Sequence, residues 1–74
     1  MYFKIQQHHA NVVGWLVDNL GPELECEPGV FWRGKDWTVI YDRPAVGGSS
    51  TNYWVLDVTI NDDRVGTLFL LAFS

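Results

Sequence analysis

The sequence predicts an α+β domain in which one N-terminal helix packs on a five- to six-stranded, mainly antiparallel meander sheet, curled toward a barrel in its most self-covered form. Three observations lead there. Helical periodicity is confined to one stretch near the N-terminus. Strand-like alternation recurs along the rest of the chain, and turn-forming residues separate the alternating runs at short intervals.

The elements follow in order. Tyr2 to Gln6 alternates and carries two aromatic rings, which suits a short strand. From His9 to Leu20 the spacing becomes helical, with Val12, Val13, Leu16, Val17 and Leu20 on one apolar arc at about 100° per residue. Gly21 and Pro22 end that helix, the first by tolerating a left-handed cap and the second by refusing to continue. "ELECE" alternates strictly, with Glu23, Glu25 and Glu27 expected on one side and Leu24 and Cys26 turned inward. "EPGV" has Pro and Gly where a β-turn wants them. "VFWR" and "WTVIYD" flank "GKD" as a hairpin, and Arg43 to Thr51 reads as a flexible connection rich in Gly and Ser. "NYWVLDVTI" and "VGTLFLLAF" flank "NDDR", which reads as a second hairpin with Asp62 and Asp63 as turn formers.

Seventy-four residues make one domain, spanning 1–74. A chain of this size buries roughly 60% of the surface it exposes when unfolded, so its core depends on large side chains. Four Trp, four Phe and three Tyr supply them. The single cysteine, Cys26, excludes an internal disulfide, and the N-terminus lacks the pattern of a signal peptide. No apolar run approaches the roughly 20 residues of a membrane-spanning helix. A reducing cytoplasm is the expected compartment. A formal net charge of −4 disfavours nucleic acid as a general partner.

The final hairpin carries the strongest functional expectation. Closing it at Asn61–Arg64 sets Trp54 opposite Leu71, Leu56 opposite Phe69, Val58 opposite Thr67 and Ile60 opposite Val65, on the side given to the helix. The reverse side then holds Tyr53 opposite Ala72, Val55 opposite Leu70, Asp57 opposite Leu68 and Thr59 opposite Gly66. One helix cannot cover both sides of such a sheet. The reverse side, with Tyr53, Val55, Asp57, Leu68 and Leu70, is therefore expected to meet a partner, the alternative being self-coverage by curling of the sheet and by loop residues such as Ala45 and Val46.

Candidate chemistry is sparse. His8 and His9 are adjacent, so on a helix they point about 100° apart and do not converge on a metal. Glu25 and Glu27 beside Cys26 disfavour a thiolate nucleophile. Ser49 and Ser50 lack the strand-to-helix elbow of a catalytic serine, and Asp62 and Asp63 lie at a hairpin tip rather than in a desolvated cleft. Little remains after core filling from which to build a pocket of about 300 Å³. No catalytic residue, metal or cofactor is expected.

Two surfaces point to binding instead. Glu23, Glu25 and Glu27 would stand about 6.5–7 Å apart along one strand face, near the spacing of phosphates, and could occupy a basic groove on a nucleic-acid-binding protein. Trp32, Arg33 and Lys35 bring an aromatic ring and cations to one hairpin, a composition suited to a protein hot spot. The chain thus reads as a small acidic non-enzymatic binding module that occupies a surface of a larger host protein. By analogy of size and charge alone, it resembles inhibitors that phages and mobile elements direct at host machinery. Two further readings are a structural subunit that forms homodimers through its C-terminal strands, and a single-stranded nucleic-acid binder using the Trp32–Arg43 hairpin.

Overall fold

The computed structural model describes residues 1–44 and 54–73. Strand β1 (Tyr2–Gln7) leads into helix α1 (His9–Leu20). Local polar groups start this helix: the His8 Nδ1 atom accepts from the Ala10 N–H at 3.2 Å, and the Gln7 side-chain oxygen accepts from the His8 N–H and from Asn11. Gly21 ends it with φ of 111° and donates its N–H to the Val17 carbonyl. Both ends lie where the sequence places them.

Strand β2 (Glu23–Glu27) turns through Pro28 and Gly29 into β3 (Phe31–Gly34). Gly29 takes φ of 83°, and the Val30 N–H closes the turn on the Glu27 carbonyl at 2.9 Å. The expected hairpin then joins β3 to β4 (Trp37–Pro44), and β5 (Trp54–Ile60) comes next; the connection expected over Arg43 to Thr51 falls largely outside the described residues. The sheet order is β1-β5-β4-β3-β2, with every neighbouring pair antiparallel. The sheet is open, so the barrel-like closure is not formed.

The segment after β5 departs from expectation. Asp63–Ala72 is a helix, α2, and not a strand. Asp62 acts as its N-cap, accepting from the Val65 N–H at 3.1 Å, and Asp63 places a negative charge in the first turn. Val65, Phe69 and Phe73 fall at helical spacing and meet the core. The strand pairings expected for the last hairpin therefore do not form. β5 is paired instead with β1 on one side and β4 on the other.

The core lies between the helices and one face of the sheet. Val12 and Leu16 of α1 and Phe69 of α2 meet Trp32, Trp37, Val39, Leu56, Val58 and Ile60, all buried. Phe69 lies 5.1 Å from Phe3 and 5.4 Å from Trp15, ring centre to ring centre. His9, at the start of α1, packs its ring against Trp54 at 4.4 Å and Trp32 at 5.0 Å, and the two indoles lie 6.3 Å from each other. β2 stands apart from this packing. All five of its residues are exposed, including Leu24 and Cys26, which simple alternation turns inward.

The candidate functional site on the open sheet face

The reverse face of the sheet carries neither helix among the described residues, and its composition follows from register. Directly opposed residues in an antiparallel sheet share a face. One rung runs across all five strands as Glu27, Phe31, Ile40, Asp57 and Lys4. The next runs as Glu25, Arg33, Thr38, Thr59 and Tyr2. The first rung thus has an apolar middle, Phe31 and Ile40, flanked by the carboxylates of Glu27 and Asp57. Ile40 is 46% exposed.

Ion pairs organise the rest of this face. Arg33 bridges to Glu25 at 2.7 Å. Lys4 lies 3.3 Å from Asp42 and 3.6 Å from Asp57, and Asp42 also accepts from Arg43. The Tyr2 hydroxyl donates to Asp57, and that hydrogen bond raises the phenol's pKa. The Asp42 carboxylate likewise raises the Lys4 pKa, so Lys4 stays charged at neutral pH. All of these groups are solvent-screened surface pairs, which fix side-chain positions more than they stabilise the fold.

The sequence-derived candidates divide between this face and elsewhere. Glu25, Glu27, Arg33 and Asp57 come together on the open face. Val55 shares its sense but is buried, and so cannot be a contact residue. Glu23 does not complete an acidic ladder. A register shift between Glu23 and Glu25 pairs Glu23 with Gly34, on the side of Cys26 and Trp32. Consistent with that placement, the Cys26 pKa is raised by desolvation and then by the nearby Glu23 carboxylate.

Trp32 is 6% exposed and belongs to the core, so it is unavailable as a hot spot. Lys35 is exposed at the β3–β4 turn. Leu68 and Leu70 are exposed as expected, yet they project from α2 rather than from a strand. Tyr53 lies outside the described residues.

Sequence reasoning missed Phe31, Ile40, Tyr2 and Lys4. The signal for Ile40 is present: it falls out of phase with Trp37, Val39 and Tyr41, whose alternation marks the core side. Among the described residues no cavity forms, and no three of His, Cys, Asp and Glu converge as metal ligands. No described helix is long and apolar enough to cross a membrane. No protein-family model, curated protein or solved structure matches this chain.

Proposed function

We propose that the chain is a small acidic, non-enzymatic protein-binding module, acting in the cytoplasm, that occupies a surface of a larger host protein in the manner of a phage or mobile-element inhibitor. The observation that carries this reading is the rung Glu27–Phe31–Ile40–Asp57, an apolar centre between carboxylates on the sheet face opposite both helices, with no described element over it. Its partner has the complementary pattern: an apolar anchor seated on Phe31 and Ile40, beside a cation that meets Glu27. A basic groove of the kind that binds nucleic acid meets that description.

The test is affinity capture from the native host, comparing wild-type bait with Ile40→Lys. The side chain is exposed, so the substitution leaves the fold intact, which matching urea midpoints verify. A protein held by wild type and released by Ile40→Lys supports the reading. Identical capture by both baits, or none by either, overturns it.

A further inference from the structure

The two outer strands of the sheet, β1 and β2, are guarded unequally. β2 is five residues long, carries three Glu, is broken by a register shift, and sits between Pro22 and Pro28. Short length, charge, irregularity and proline are the devices that stop an edge from pairing. β1 has none of them except Lys4. Its six residues pair with β5 in unbroken register from Tyr2 to Gln7.

The hydrogen-bond phase shows what β1 offers. Met1 and Ile60 exchange both backbone bonds, N–H to carbonyl in each direction. Alternate pairs do so along an antiparallel ladder, so Phe3, Ile5 and Gln7 also face β5. The N–H and C=O groups of Tyr2, Lys4 and Gln6 therefore point away from the sheet, with no strand beside them among the described residues.

We propose that this edge joins a second copy of the chain, β1 to β1 antiparallel about a two-fold axis centred on Lys4. That register places Tyr2 opposite Gln6 and makes all the outward backbone bonds. On the helix side it sets Phe3 opposite Ile5, apolar against apolar, twice. Lys4 meets its own copy, but each Lys4 is already held by Asp42 and Asp57, so no foreign countercharge is called for. The repelling carboxylates of β2 lie four strand spacings away, about 19 Å, beyond the roughly 8 Å reach of charge at physiological salt. α2, whose Phe69 covers Phe3, leaves Leu68 and Leu70 about half exposed on its two flanks. This edge is separate from the Phe31–Ile40 face, and the homodimer it forms is independent of any foreign partner. It also replaces the dimer expected through C-terminal strands, since the segment that would supply the last of them is α2.

Sedimentation velocity from micromolar to submillimolar concentration tests it. Wild type should pass from monomer to dimer. Gln6→Pro removes an outward N–H that β5 does not use, and so blocks the edge while sparing the fold. Lys4→Glu sets two carboxylates opposite each other amid Asp42 and Asp57. Each should weaken dimerisation at least about tenfold, while Glu27→Gln on the far edge changes it by less than about twofold. A wild type that stays monomeric throughout overturns the proposal, as does a dimer indifferent to both β1 variants. If circular dichroism finds Gln6→Pro unfolded, the response of Lys4→Glu decides the matter alone.

Discussion

The indole of Trp37 occupies the space in which any other residue at position 34 would carry its Cβ, so Gly34 and Trp37 are a matched pair. The same ring sends its Nε1–H to the carbonyl of Gly21, 3.3 Å away, tying the β3–β4 hairpin to the end of α1. Gly34→Ala forces the buried indole to move, and overpacking of this kind costs about 1–3 kcal/mol. Trp37→Phe, which loses the bond to Gly21, costs about 1 kcal/mol for the hydrogen bond alone, with a further loss for the unfilled volume. Urea denaturation reads both. A Gly34→Ala variant as stable as wild type would show that the contact is not limiting.

Asp62 offers a second stability test, since its carboxylate accepts from the Val65 N–H at the start of α2. Asp62→Ala should destabilise the protein by about 0.5–2 kcal/mol, whereas Asp62→Asn, an equally good cap, should change it little. Far-ultraviolet circular dichroism through a thermal melt distinguishes the two. Equal losses in both variants would mean that the charge, and not the cap, is what matters.

This residue also explains where sequence reading stops. Asp is favoured both in hairpin turns and at helix N-caps, so "NDDR" satisfies either. The run behind it is so apolar that Val65, Phe69 and Phe73 mark a helix while the whole stretch also passes for a buried strand. Periodicity decides nothing when nearly every position is apolar. α1 is legible because polar Asn11, Gly14, Asp18 and Asn19 break up its apolar arc, and the β3–β4 hairpin because core and open-face residues alternate. The acidic ladder fails for another reason. A register shift in β2 turns Glu23 to the opposite face, and no residue type in "ELECE" announces it. Once Asp63–Ala72 becomes a helix, the chain supplies a second cover for the core side. Neither helix covers the other face, whose apolar centre among the described residues is Phe31 and Ile40.

His9 predicts a pH dependence. Its ring is packed among Trp32, Trp54 and His8, and its Nδ1 is buried without a hydrogen-bond partner. Burial, and then repulsion from His8, lowers its pKa below the usual value. The unfolded chain therefore binds a proton at His9 more readily than the native protein does. Its stabilising contribution is full above the unfolded pKa of about 6.5 and declines as pH falls below it, until native His9 also protonates. Denaturation midpoints at a series of pH values should fall on acidification through this window. His9→Phe, which keeps an aromatic ring in the stack, should flatten the slope, and a variant with the wild-type slope would assign it to other groups.

Cys26 is exposed yet should react slowly. Partial desolvation by its neighbours, together with the nearby Glu23 carboxylate, raises its pKa, so little thiolate exists at neutral pH. Because the register shift in β2 brings Glu23 to the Cys26 side, Glu23 and not Glu25 controls the thiol. Alkylation of the native protein at neutral pH should go to completion without denaturant, but more slowly than for a free thiol in an unstructured peptide. Glu23→Gln should accelerate it, and Glu25→Gln, whose carboxylate is engaged with Arg33 on the opposite face, should not. Equal acceleration by the two substitutions would show that bulk negative charge acts on Cys26, and would remove the support that thiol reactivity gives to the break in the acidic row.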